Sequence, residues 1–67
     1  MGRPLTPRET QIARLVAAGW RNVEIAKELG IVEGTVEIHL RHVYEKLNLD
    51  RYQHQRVLLA VQASRFT

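Results

Sequence analysis

Residues 22–47 read NVEIAKELGIVEGTVEIHLRHVYEKL and decide the fold, because they hold two helical apolar patterns separated by a very short turn. In the first pattern, Ile25, Ala26 and Leu29 share one face of a short helix. Gly30 ends that helix, since glycine readily adopts the positive φ of a helix stop. Only residues 30–32 separate the two patterns, and so short a turn holds two helices at a steep angle. The stretch therefore predicts a helix-turn-helix.

The second pattern predicts a helix over residues 33–47. Its apolar residues recur at intervals of four, three and four and form one buried stripe, Val36, Leu40, Val43 and Leu47. At about 100° per residue, the side opposite this stripe faces outward. That outer side consists of Gly34, Glu37, Ile38, Arg41 and Glu45. Because the second helix of a helix-turn-helix enters the major groove of DNA, functional residues are expected on this side.

The segment before the quoted stretch predicts a first helix over residues 7–18. Thr6 is its expected N-cap, and Pro7 suits the first turn, where the missing N–H is harmless. Glu9 completes a capping box with Thr6, and Gly19 supplies a left-handed stop. Asn22 is then the expected N-cap of the second helix.

The segment after the quoted stretch predicts a fourth helix over residues 53–64, with two apolar sides. Asn48 is expected to end the third helix, and Asp50 to cap the fourth. One side consists of Val57, Ala60 and Val61, and the other of Tyr52, Leu59, Ala63 and Phe66. A four-helix monomer covers only one side well, which favours a homodimer through the fourth helix. The second side is the candidate dimer interface, although the pattern leaves open which side pairs.

Length and composition limit the classes of protein to which the chain can belong. Its 67 residues make one domain, residues 1–67, and without period-two alternation the predicted fold class is all-α, a four-helix bundle with a central helix-turn-helix. The absence of cysteine excludes disulfides and thiolate zinc sites. No apolar run approaches the roughly 20 residues of a membrane span, and no signal-peptide core follows the first residues. A soluble, cytoplasmic protein without a membrane partner is expected.

The charge of the chain favours a polyanionic partner. The formal net charge is +3 at pH 7, although residues 23–47 sum to −2, from three lysines and arginines against five glutamates. Neither a nucleophile motif nor a phosphate-binding glycine loop is present, so no enzyme activity and no cofactor are expected. His39 and His42 lack an evident third ligand, which argues against a metal site. His39, beside the apolar stripe, is expected to be partly buried.

Two blocks of sequence resemble one family of bacterial regulators. Leu5-Thr6-Pro7-Arg8-Glu9 is similar to the opening of LuxR-type (GerE-like) domains, commonly L-T-x-R-E. The segment that begins Asn22-Val23-Glu24-Ile25-Ala26 and ends Lys46-Leu47 is similar to the pattern N-x-E-I-A…L-x-[IL]…T-V-x-x-H-[IVL]…K-L. The resemblance implies a four-helix DNA-binding domain of transcription regulation whose third helix contacts bases and whose fourth often supports dimerisation. Such domains usually follow a receiver or ligand-sensing domain, so a regulatory domain outside this chain is an expected partner.

Carried over by position, the resemblance nominates specific contacts to double-stranded DNA. Thr35 and Lys46 are expected at phosphates, and Asn22 would present backbone amides at the start of the second helix to another phosphate. The expected base contacts lie on the recognition helix, residues 33–47. The full set of candidate DNA-binding residues is Asn22, Thr35, Glu37, Ile38, Arg41, His42 and Lys46.

Three positions depart from the family pattern. Val32 stands where a serine usually caps the third helix, and Val23 where a lysine often follows the asparagine. Glu37 stands where lysine or arginine is common, so that a carboxylate faces the groove. It can accept a hydrogen bond from cytosine N4, which would make the site selective. The alternative is a protein-interaction or dimerisation module on the same fold with weak or no DNA binding.

Overall fold

Four helices and no strand occupy residues 3–62, the part of the chain that the computed structural model describes. They are α1 (Pro7–Ala17), α2 (Asn22–Leu29), α3 (Glu33–Lys46) and α4 (Gln55–Val61). The predicted all-α architecture is confirmed, and α2 and α3 form the helix-turn-helix. The predicted ends of α1 and α3 are each one residue too long, because Ala18 and Leu47 are the C-caps.

The beginning of α1 is stabilised by the predicted capping box. Thr6 Oγ1 accepts a hydrogen bond from the Glu9 N–H at 3.1 Å, and Glu9 Oε1 accepts one from the Thr6 N–H at 2.9 Å. Each side chain thus satisfies a backbone donor that the helix leaves open. The side chain of Glu9 turns inward as it does so and is buried.

The first three helices end in the same way, with a left-handed residue followed by an apolar one. Asn48 has φ 60°, and the next residue, Leu49, donates its N–H back to the Tyr44 carbonyl at 2.7 Å. The equivalent left-handed positions are Gly19 at φ 96° and Gly30 at φ 67°. The following N–H groups, of Trp20 and Ile31, donate to Leu15 and Ala26 at 3.0 Å. These bonds satisfy carbonyls at the helix ends and place an apolar side chain against the core after each helix.

The core lies where α1 packs against α3 and α4, while α2 packs against α3. The predicted stripe of α3 is confirmed, with Val36, Leu40 and Val43 buried and Leu47 partly so. Tyr44 joins this stripe, and the buried apolar residues outside α3 are Ile12, Ala13, Val16, Ile25, Ala26, Leu49 and Leu59.

Helix α4 differs from its prediction in its start and in the side that packs inward. It begins at Gln55 with His54 as N-cap, so the expectation of Asp50 as cap was wrong. The physical reason is the burial of Leu49: its carbonyl accepts from the Tyr52 N–H at 3.1 Å and from Gln55 Nε2 at 3.3 Å, which holds Asp50 in a turn.

Part of the candidate dimer interface proves to be core. Leu59 is fully buried within one chain, so its assignment to an interface with a second copy was wrong. Tyr52 lies in the turn before α4 and is 56% exposed. Ala63 and Phe66 lie outside the described residues. The other apolar side, Val57, Ala60 and Val61, is exposed to solvent.

The beginning of α2 also differs from its prediction. The N-cap is Arg21 rather than Asn22, and the carboxylate of Glu24 accepts the Arg21 N–H at 2.8 Å. Asn22 is therefore the first helical residue. This frees its side chain for the contact described below.

Candidate nucleic-acid interface

The outer face of α3 is exposed, as the sequence predicts. Glu37, Arg41 and His42 are solvent-accessible, and Ile38 is 48% exposed. Within residues 3–62, neither Glu37 nor Arg41 makes a side-chain hydrogen bond or ion pair, although one helical turn separates them. An acceptor, an apolar group and a donor therefore stand together on one side of a helix without a structural partner. Thr35, one turn from the start of α3, is half-buried.

The start of α3 has no side-chain cap. Val32 occupies the N-cap position with φ −81° and ψ 155°, and its side chain, 71% exposed, offers no acceptor. Its carbonyl accepts the N–H groups of Thr35 and Val36 at 3.0 and 3.3 Å. The backbone thus has the geometry of a capped helix without the cap, which confirms the expectation drawn from Val32.

Lys46 is tied to the core side of α3 rather than to its outer face. Its Nζ lies 2.6 Å from Glu9 Oε1, and the two side chains are only 13% and 6% exposed. Burial alone would raise the pKa of Glu9, but the hydrogen bonds from Lys46 and Thr6 and the lysine charge outweigh it and hold that pKa below its ordinary value. The expected phosphate contact of Lys46 is disfavoured by this position. Its place three residues after buried Val43 is the sequence signal that could have shown this.

Asn22 is held by a residue that the sequence analysis did not single out. Its Oδ1 accepts a hydrogen bond from Arg56 Nη1 at 2.9 Å, and Arg56 Nη2 donates to the Trp20 carbonyl at 2.6 Å. Asn22 and Arg56 line one end of a groove of about 470 Å³ that also includes Glu37 and Tyr44. The beginning of α2 and the outer face of α3 thus border a single open surface.

The two histidines occupy different surroundings. His39 is half-buried, as expected, while His42 is exposed on the outer side of α3. Among residues 3–62, no group of three His, Cys, Asp or Glu side chains is arranged to hold a metal ion. In the same part of the chain, no helix has the length and apolar character needed to cross a membrane.

Comparison with known proteins gives a consistent result. The sequence model of the family described as "Bacterial regulatory proteins, luxR family" matches residues 3–60. The chain is also similar to the HTH-type transcriptional regulator MalT of Vibrio campbellii (strain ATCC BAA-1116), with 44% identity over 46 residues. That match covers 69% of this chain and 5% of the relative, so the chain spans a small part of that protein's length. No solved structure matches the chain significantly.

Proposed function

We propose, from the premise that the chain belongs to the luxR family of bacterial regulatory proteins, that it binds double-stranded DNA through the outer face of α3. The observation that carries the proposal is the exposure of Glu37, Ile38 and Arg41 on the second helix of a helix-turn-helix, free of structural partners within residues 3–62. Groups that do not stabilise the fold are available to contact base edges.

The proposed contacts divide into positioning and recognition. Thr35 and Asn22 contact phosphates on either side of the groove, while His42 lies at the edge of the recognition face. Arg41 donates two hydrogen bonds to a guanine, and Ile38 contacts a thymine methyl group. Lys46 is left out of this set, because its ammonium group is engaged by Glu9.

Glu37 has a defined role in this proposal. A carboxylate near DNA is repelled by phosphates, which lowers affinity for every sequence equally. Cytosine N4 offers a donor to that carboxylate, whereas guanine offers only acceptors at its major-groove edge. Glu37 therefore makes the domain selective for a cytosine at one position, at some cost in overall affinity.

A homodimer and a regulatory domain are the proposed partners. Two-fold DNA sites match two-fold proteins, and the exposed Val57, Ala60 and Val61 supply an apolar side on α4 for pairing. Sedimentation of the wild-type chain and of Val61→Glu, with and without DNA, tests this pairing. Equal monomeric behaviour of both proteins on a two-fold site would contradict it.

Selection of bound sequences from a random duplex pool tests the function directly. We expect an enriched motif that contains a cytosine, and Glu37→Gln should relax the preference at that base pair alone. Affinity for the selected duplex should fall steeply with salt, since each neutralised phosphate releases about 0.9 counterion. An unenriched pool and negligible binding at low salt would contradict the proposal.

A second candidate function is favoured by the acidic character of the same surface. Glu33, Glu37 and Glu45 are all exposed on α3, an arrangement that repels DNA and suits a protein partner. Glu37→Lys separates the two candidates. If that variant binds duplexes that the wild type does not bind at any salt concentration, the protein-interaction function is supported; a loss of sequence preference with retained binding supports DNA recognition.

A further inference from the structure

Arg56 joins three separate parts of the fold. It comes from the first turn of α4, and its guanidinium donates to Asn22 Oδ1 at 2.9 Å and to the Trp20 carbonyl at 2.6 Å. The same guanidinium lies beside the phenol oxygen of Tyr44 on α3. One side chain therefore connects α4 to the α1–α2 turn, to the start of α2 and to the recognition helix.

The bond to Asn22 determines which end of the amide faces outward. A side-chain amide has one acceptor oxygen and two N–H donors. Because Arg56 engages Oδ1, the groups of Asn22 that remain for a ligand are the two donors on Nδ2. Phosphate oxygens accept hydrogen bonds and donate none, so this orientation suits a phosphate and the reverse orientation does not.

The contacts of Arg56 favour a positioning role over a phosphate contact of its own. Two of its donors are directed at neutral oxygens of the same chain, and the second acceptor is a backbone carbonyl that cannot turn away. The planar guanidinium holds both acceptors at once, which the single ammonium group of a lysine does poorly.

We infer that Arg56 is a positioning residue for DNA binding, which orients Asn22 so that its amide donors meet a phosphate. The inference rests on the proposed function, because it assigns Arg56 to the same interface. It also means that α4, outside the helix-turn-helix, adjusts the affinity of the helix-turn-helix for DNA.

A double-mutant cycle on the full chain, with the selected duplex as probe, tests this inference. Asn22→Ala and Arg56→Gln should each weaken binding about 10-fold, the size of one lost charge-assisted hydrogen bond. The double variant should also lose about 10-fold rather than about 100-fold, because each change removes the same contact. Arg56→Lys should resemble Arg56→Gln, although it keeps the charge.

Two further measurements separate positioning from charge and from folding. The slope of log affinity against log salt should be unchanged in Arg56→Gln, whereas loss of a phosphate contact would reduce it by about 0.9. Arg51→Gln is the matched control, because Arg51 is exposed in the same connection and makes no side-chain bond within residues 3–62. Trp20 fluorescence establishes that each variant is folded at the temperature of the titration, and the Lys variant replaces the Gln variant if the latter unfolds.

The outcomes are distinct for the two proposals. Additive losses in the cycle, rescue by Arg56→Lys, or equal effects of Arg51→Gln and Arg56→Gln would overturn the positioning role while leaving DNA binding intact. Failure of the wild-type chain to bind any duplex would overturn the proposed function and this inference with it. Non-additive losses with an unchanged salt slope would support both.

Discussion

The inner and outer faces of α3 show how one helix divides its work. On the inner face, Val36, Leu40 and Val43 are buried, and Lys46 at the edge is bound to Glu9 of α1. On the outer face, Glu37 and Arg41 are exposed and make no side-chain bond within residues 3–62. The inner face therefore supplies stability, and the outer face is free to vary with the ligand. Substitutions on the two faces should have separable effects.

The largest expected effect comes from breaking the ion pair on the inner face. Glu9→Gln keeps the capping box, because glutamine also accepts the Thr6 N–H, but it leaves the Lys46 ammonium without a counter-charge in a site that is 13% exposed. We expect a loss of roughly 3 kcal/mol in the free energy of unfolding. Urea denaturation followed by Trp20 fluorescence measures it.

The matched control for that change removes both charges. Glu9→Gln with Lys46→Met leaves no buried charge, so it should recover most of the lost stability. A loss below about 0.5 kcal/mol for Glu9→Gln alone would show that the pair acts as an ordinary surface salt bridge.

The same pair makes the stability of the fold depend on acid. The pKa of Glu9 in the folded chain lies below its ordinary value of 4.5, so the folded state favours the ionised carboxylate. This stabilisation is complete above the unfolded value and is lost as pH falls through the folded pKa. Unfolding free energies measured between neutral pH and acid should fall less in the Glu9→Gln, Lys46→Met variant than in the wild type. Parallel pH profiles would contradict this role of Glu9.

An effect of intermediate size is expected on the outer face, in binding rather than in stability. Arg41→Ala should cost roughly 1–3 kcal/mol on the preferred duplex and relax the preference at one base pair. Its free energy of unfolding should change by less than about 0.5 kcal/mol, since the side chain is exposed. Arg41→Lys is the control, because it keeps the charge and loses the two-pronged donor geometry. An equal loss on every duplex would exclude base recognition by Arg41.

The smallest effect is expected where the two faces begin, at the uncapped start of α3. Val32→Ser should stabilise the fold by about 1 kcal/mol, because Val32 already has the extended backbone of an N-cap, φ −81° and ψ 155°. Val23→Ser is the matched control, since Val23 is also exposed but lies inside α2, where serine cannot cap. Thermal unfolding of the two variants checks this, and equal melting temperatures would argue against a vacant cap.

The features that the sequence predicted well are those that depend on near neighbours in the chain. The capping box of Thr6 and Glu9, the left-handed stops at Gly19, Gly30 and Asn48, and the stripe of α3 all arise within a few residues. Backbone sterics and helical periodicity apply to such short segments whatever surrounds them. The exposure of Glu37, Ile38 and Arg41 follows from the same periodicity.

The contacts that the sequence did not predict join residues far apart in the chain. Lys46 meets Glu9, and Arg56 meets Asn22, only because α1, α2, α3 and α4 pack together. Leu59 is core rather than interface for the same reason, since an amphipathic pattern shows which residues share a side but not which side is covered. Local geometry thus determined the helices, their ends and the outer face of α3 from sequence alone. Tertiary packing decided which charges are bound within the fold and which remain for a partner, because that depends on distances between helices.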